Sequence, residues 1–249
     1  MRHFGLIGFP LSHSFSKKYF SEKFVNEGIK ESEYELYPIE DAGSFLELFA
    51  NDQDLLGLNV TIPHKQAVIP FLDRLDPVSA ARIGAVNVIK KEKDGSLSGY
   101  NSDYYGFKNA LVKFLGVNIH EVESALILGK GGAALAVQAA LADLNIKFTY
   151  VSRAKQEGSY TYDELNAQIM AEHKLIVNTT PLGMYPHLEQ CADIPYQYLS
   201  SSHFVYDLVY NPETTQFMKN AQNAGASTSN GLEMLILQAE KAWEIWNMD

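Results

Sequence analysis

Three polar side chains gather at the end of one apolar run. They are Asn59, Thr61 and Lys65, in Leu-Leu-Gly-Leu-Asn-Val-Thr-Ile-Pro-His-Lys from residue 55. Two hydrogen-bonding groups and an ammonium around a proline-governed turn suit a small molecule carrying hydroxyls or a carboxylate. The loop over 8–16 carries Ser14 and Ser16, a pair that could take a carboxylate or hydroxyls. Ser16 alone has a plainer reading as a helix N-cap, a role Ser14 would not share. His13, between them, reads as a structural hydrogen bonder. Asn87 places an amide beside a hairpin, and Asp103 opens a helix, where a carboxylate also complements the dipole. Lys65 taken singly is equally a surface lysine. Together, a lysine and a carboxylate from different loops could share one substrate oxygen. Carbonyl reduction needs a proton delivered there as hydride reaches the carbon.

A hydride source leaves its own pattern. Gly129-Lys130-Gly131-Gly132-Ala133-Ala134 follows an apolar strand and opens a helix. The first glycine permits a tight turn, the second lets backbone approach pyrophosphate, and the small Ala134 allows close helix–strand packing. The helix N-terminus offers free N–H groups to phosphate. Roughly 20 residues on, where NAD enzymes hold the ribose with an acid, stand Ser152, Arg153 and Lys155. Guanidinium and ammonium suit a ribose 2′-phosphate, which favours NADP over NAD. The plainer reading of both cations is solvated surface charge. A further loop over 177–184, containing Thr179, follows a buried-looking strand, where open α/β sheets bind ligands. It also reads as a plain turn set by Pro181 and Gly183.

The elements that must position these residues alternate strand and helix, the signature of an α/β fold with parallel sheets. Strands are expected over 3–9, 33–39, 55–61, 124–128, 147–152, 175–178 and 204–208. Helices are expected over 16–25, 42–50, 64–72, 103–115, 131–142, 162–172, 214–223 and 231–247. A hairpin over 86–101, turned by Asp94-Gly95, breaks the rhythm and marks the domain boundary. The result is two α/β domains, an N-terminal one over 1–101 with a mostly parallel sheet and a Rossmann-like one over 102–230, with a cleft between them.

Bulk composition narrows the function. The 249 residues are 46% hydrophobic and 20% charged, an ordinary globular balance. A net charge of −10 argues against nucleic acid as a partner, though not against a phosphorylated cofactor held in a local positive field. Cys191 is the single cysteine, so no internal disulfide is possible, and it reads as a small hydrophobe. The N-terminus lacks the apolar length of a signal peptide, and no run reaches the roughly 20 apolar residues of a membrane span. A cytoplasmic, soluble enzyme with a small-molecule substrate, no metal and no membrane partner is the expectation. Monomer and homodimer stay open.

Taken in order, the segments 8–16, 59–65, 84–87, 101–106, 129–134, 178–184, 207–217 and 231–239 resemble the shikimate dehydrogenase family across nearly the whole chain. The resemblance implies NADP-dependent interconversion of 3-dehydroshikimate and shikimate in aromatic amino-acid biosynthesis. It implies that Ser14 and Ser16 bind the substrate carboxylate with Thr61 close by. Asn59, Asn87, Asp103 and Gln238 would address ring hydroxyls and the reacting oxygen. Lys65 would be catalytic and paired with Asp103, and Tyr210 would close the substrate side. Gly129, Gly131, Gly132 and Ala133 would hold pyrophosphate, Ser152 and Arg153 the ribose phosphate, and Gly231 and Met234 would flank the nicotinamide. The resemblance also implies that the final helix, 231–249, returns to the first domain. The sequence departs from the family where Lys130 replaces a small residue, where Ser152-Arg153-Ala154 replaces Asn-Arg-Thr, and where Ser102 replaces threonine. Rival readings are an enzyme for quinate or another shikimate-like acid and a non-catalytic NADP-binding regulator.

Overall fold

The computed structural model describes residues 1–11 and 14–248; the reading of His13 lies outside the described residues. In chain order the elements are β1 (Arg2–Gly8), α1 (Phe15–Asn26), β2 (Ser32–Pro38), α2 (Phe45–Asn51), β3 (Leu55–Val60), β4 (Arg74–Leu75), α3 (Ala80–Ile83), β5 (Val88–Lys91) and β6 (Leu97–Tyr100). There follow α4 (Ser102–Leu115), β7 (Ser124–Leu128), α5 (Gly132–Asp143), β8 (Lys147–Ser152), β9 (Ser159–Thr161), α6 (Ala167–Glu172), β10 (Leu175–Asn178), β11 (Phe204–Asp207), α7 (Gln216–Asn223), β12 (Ser227–Ser229) and α8 (Leu232–Asn247). The architecture is α/β, with two six-stranded sheets.

The chain divides into two compact units, Met1–Ser102 with the segment from Ala239 onward, and Asp103–Gln238. In the first, the strand order is β2-β1-β3-β5-β6-β4. The β2, β1 and β3 strands run parallel, and β5 is antiparallel to both β3 and β6. Alternate side chains feed two cores. Ile7, Leu58 and Ile89 pack with Phe45 and Phe49 of α2, while Phe4 and Leu6 pack with Phe20 and Phe24 of α1 and with Ile245 and Trp246 of α8. Burying each such side chain contributes about 1.5–3 kcal/mol. The Trp246 Nε1–H donates to the Ile89 carbonyl at 3.0 Å, so the indole is buried without an unmet donor.

The second sheet is parallel throughout, in the order β12-β11-β10-β7-β8-β9. Renumbered from its own first strand this is the 3-2-1-4-5-6 arrangement of dinucleotide-binding folds read from the other edge. Phe107 and Leu111 of α4, Val137 and Leu141 of α5, and Met234 of α8 cover one face. Met170 of α6 and Phe217 and Ala221 of α7 cover the other. The residues of α8 up to Gln238 thus belong to the second unit, and those from Ala239 to the first.

Two expected helices differ. Over 64–72 there is a tight turn and then a 3-10 turn at Ile69–Phe71. Pro70 lacks the N–H a helix would need there and disfavours helical backbone at Ile69. The helix expected over 162–172 is split, because Asn166 caps α6 by accepting from the N–H groups of Gln168 and Ile169. The strands β4, β9 and β12 carry no apolar run, and all three stand at or beyond the sheet margins. Short polar edges of this kind discourage pairing with other chains. Among the described residues no helix is long and apolar enough to cross a membrane, and no group of three or more metal-ligating side chains is assembled.

Candidate functional site

In the first unit, strand direction explains why residues far apart in sequence meet. The β1 and β3 strands end at the same margin of the sheet, where the antiparallel β5 begins and β6 ends. The loops there are laced together by backbone, the Thr61 N–H donating to Ile7 O at 2.9 Å and Phe9 N–H to Ile62 O at 3.1 Å. Asn59, on β3, is buried. Its Oδ1 accepts from the Tyr34 hydroxyl at 2.7 Å, and its Nδ2 donates to the Asn87 carbonyl at 3.2 Å. Burial pushes the Tyr34 phenol well above its ordinary pKa, so it stays a donor, and Ser16 faces it from the first turn of α1. Asn87 is buried too. Its Oδ1 accepts the Ser102 N–H at 2.6 Å, and its Nδ2 donates to Ser102 Oγ at 3.0 Å. Each amide therefore has its orientation fixed and, among the described residues, still holds one N–H and one lone pair for a further partner.

Lys65 follows on a turn in which His64 N–H donates to Thr61 O and Val68 N–H to His64 O. The buried His64 ring donates its Nε2–H to the Ile39 carbonyl at 2.7 Å, which anchors the turn. The Lys65 carbonyl accepts from Val86 N–H at 2.7 Å, one residue before Asn87. Ser14 differs from the sequence reading. It is the N-cap of α1, its Oγ accepting from Lys17 N–H at 3.4 Å, and Ser16 lies inside the helix.

In the second unit, Gly129, Gly131, Ser152, Arg153 and Thr179 line one pocket of about 520 Å³, with Lys130, Ala154, Gln156, Tyr162 and Thr180–Leu182. It opens where β7, β8 and β10 end. The neighbours β7 and β10 are the point at which strand order reverses, the expected ligand crevice of such a sheet. Gly129 adopts φ +97°, and a side chain there would press on Thr180. A Cβ at Gly131 would meet nothing within 4 Å, so the backbone before α5 faces open space. The Thr179 Oγ1–H donates to Leu128 O at 2.7 Å, tying the two strand ends. Gly132 begins α5 and Ala133 stands in its first turn, beside the pocket rather than on its wall. Lys155 is also off the wall. Its Nζ is paired with both oxygens of Glu164, at 2.7 and 2.8 Å.

Asp103 is buried in the first turn of α4, and Gln238, buried on α8, donates from Nε2 to Leu235 O at 2.9 Å. Met234 is buried among the apolar residues of the second unit. A side chain on Gly231 would collide with the Leu208 carbonyl, so only glycine brings α8 against the segment that carries Tyr210. That segment starts from Asp207, a fully buried carboxylate that accepts from Asn178 Nδ2 at 2.9 Å, Val209 N–H at 3.0 Å and Thr215 Oγ1–H at 2.6 Å. Burial raises its pKa, and the three donors oppose that rise. Burial likewise raises the Tyr210 phenol.

Residues 6–89 match the model of the shikimate dehydrogenase substrate binding domain. The chain is 37% identical over 262 aligned positions to the NADP(+) shikimate dehydrogenase of Desulforamulus reducens, with 97% of this chain and 88% of that protein covered. The chain belongs to the shikimate dehydrogenase family. The crystal structure of the Thermus thermophilus shikimate 5-dehydrogenase in complex with NADP(H) and shikimate is similar at TM-score 0.85 and 29% identity, over 99% of this chain and 94% of that one. Quinate dehydrogenase from Corynebacterium glutamicum, in complex with NAD, is similar at TM-score 0.86 and 26% identity, over 99% and 93%.

For a shikimate dehydrogenase family member, the sequence reading missed the residues that hold the site rather than form it. Tyr34 orients Asn59, Ser102 orients Asn87, and Asp207 orients Asn178. Of the two lysines that sequence offers to compensate there, Lys130 stands on the pocket wall, with Gln156, and Lys155 does not. The spacing of polar residues after an apolar run signals Asn59, but nothing local signals Tyr34, which reaches it only through the β2–β1–β3 pairing.

Proposed function

We propose that the protein catalyses the reversible NADPH-dependent reduction of 3-dehydroshikimate to shikimate in the shikimate pathway of aromatic amino-acid biosynthesis. The observation that carries this reading is the convergence of Ser16, Asn59, Thr61, Lys65 and Asn87 on one end of the first sheet, in a chain of this family. A small polyhydroxylated acid needs oriented neutral hydrogen-bonding groups for its ring and a cation at the reacting oxygen. Asn59 and Asn87 are held as such groups, and Lys65 on the neighbouring turn supports the cation's part in this reading.

The pocket of the second unit fits a dinucleotide: open backbone before α5, a left-handed glycine turn and two cations on its wall. NADPH, when bound, would supply the hydride for reduction, and NADP would accept it in the reverse direction. We assign Gly129, Gly131, Gly132 and Ala133 with the α5 N-terminus to its pyrophosphate, Ser152 and Arg153 to its ribose phosphate, and Thr179 to the facing wall. Gly231 and Met234 are assigned to the nicotinamide side. In the substrate site, Asn59 and Asn87 hold ring hydroxyls with the N–H each has left. Ser14, Ser16 and Thr61 are assigned to the carboxylate, and Gln238 and Tyr210 are assigned to the substrate as well. Lys65, with Asp103 as its carboxylate partner, moves the proton at the reacting oxygen. With no disulfide in the chain, nothing calls for an oxidising compartment, and we assign the enzyme to the cytoplasm.

The test is nucleotide reduction by shikimate and by quinate, each with NADP and with NAD. Turnover highest with shikimate and NADP is expected. Preference for quinate would replace the substrate, and no turnover in any pairing would overturn the enzyme reading.

A further inference from the structure

We infer that Lys130, the residue inside the glycine loop, is the second cation that reads the 2′-phosphate of NADP, acting with Arg153. The inference rests on the proposed NADP-dependent activity and assigns a specificity residue to it. Lys130 and Arg153 stand on the wall of the same pocket, one from the loop after β7 and one from the end of β8. Among the described residues neither forms an ion pair. Lys130 Nζ donates to the Gln156 side-chain carbonyl and lies 5.2 Å from the centre of the Tyr150 ring, both neutral partners. A dianion would outcompete an amide for that ammonium, since it adds the attraction between opposite full charges to the hydrogen bond. Tyr150 is on β8, two residues before Ser152, so the ring turns the lysine towards the strand whose end carries Arg153.

The other candidates are already engaged. Lys155 binds both oxygens of Glu164, whose Oε2 also accepts from Thr161 N–H at 2.7 Å, in a capping box. The lysine pairing, with the Thr161 bond, holds Glu164 below its ordinary pKa, so its carboxylate stays ionised beside Lys155. Ser152 has one hydroxyl proton, and it goes to the Ala154 carbonyl at 2.7 Å. With Ala154 at a position offering no side-chain donor, Arg153 alone would face a doubly charged group. In a chain of net charge −10, a second local cation is what makes that wall attractive to it.

The experiment is calorimetric binding of adenosine 2′,5′-bisphosphate and of 5′-AMP, which differ only in the 2′-phosphate, to the wild type and to Lys130→Ala and Lys130→Arg. The wild type is expected to prefer the bisphosphate. Lys130→Ala should shrink that preference by roughly ten-fold, the scale of one charge-assisted contact, with 5′-AMP affinity nearly unchanged. Lys130→Arg should restore most of it, and the salt dependence of bisphosphate binding should be shallower in the alanine variant. An unchanged preference in Lys130→Ala would overturn the inference while leaving the NADP reading in place. Equal weakening of both ligands would assign Lys130 to the 5′-phosphate and overturn it too. A wild type that binds both equally would remove the NADP reading along with it.

Discussion

The two units prepare for their ligands in opposite ways. At the end of the first sheet the polar groups are buried and already hydrogen-bonded: Asn59 between Tyr34 and Asn87, and Asn87 between Asn59 and Ser102. On the pocket wall of the second unit, the charges are exposed and rest on neutral groups or on solvent, and the shape comes from glycine backbone. A neutral hydroxylated ring must be told apart by direction, so its partners are locked in advance. A phosphate is recognised by charge, which tolerates a loosely held side chain. Substitutions in the first region should therefore cost chemistry or stability, and those in the second should cost affinity for one nucleotide.

The largest effect expected is at Lys65. Lys65→Ala should lower kcat by at least about 10²-fold, the usual scale of general acid–base help, with a smaller change in KM for shikimate. Steady-state kinetics decide this, and an unchanged kcat would remove Lys65 from proton handling. Next comes Asn87→Ala, which removes the two buried bonds that the amide makes to Ser102. Losing buried hydrogen bonds whose partner groups stay behind costs about 1–3 kcal/mol each, so urea unfolding should show a loss of roughly 3 kcal/mol. Stability equal to wild type would mean that the amide network is not pre-formed, and the contrast between the regions would lose its basis.

How much of this contrast was legible in sequence follows from the same physics. The cofactor loop could be read because glycine spacing and a following helix are local features, and the strands β7, β8 and β10 lie where apolar runs predict them. Asn59, Thr61 and Lys65 could be read as a cluster because one strand end holds all three. The partner of Asn59 could not, since Tyr34 depends on which strands neighbour β1. Ser14 was read as free of any capping role, yet it caps α1 because the helix begins at Phe15, one residue before the expected start. Boundary shifts of that size exchange the roles of neighbouring residues. Sequence distance and charge place Lys155 at the phosphate, and Glu164, nine residues later, decides its direction.

The second region should respond more gently, and on one ligand. Arg153→Ala should raise KM for NADP by roughly ten-fold, the worth of one charge-assisted contact, and leave KM for NAD and thermal stability nearly unchanged. Equal loss with both nucleotides would mean that Arg153 does not read the 2′-phosphate.

The smallest effect sharpens the contrast most, because it separates charge in the pocket from charge merely near it. Lys155 stands two residues from Arg153 and carries the same sign, but its ammonium is held by Glu164 outside the pocket wall. An exposed, solvent-screened pair of this kind contributes little to stability, so Lys155→Ala should shift the unfolding midpoint little. Removing the lysine also leaves Glu164 to its bond with Thr161 N–H, which keeps the carboxylate at the start of its helical turn and away from the nucleotide. KM for NADP should therefore change by less than about two-fold, against the ten-fold expected at Arg153. A Lys155→Ala variant that loses NADP as Arg153→Ala does would show the lysine leaving Glu164 for the phosphate. The cations of this unit would then be recruited by the ligand rather than positioned before it arrives.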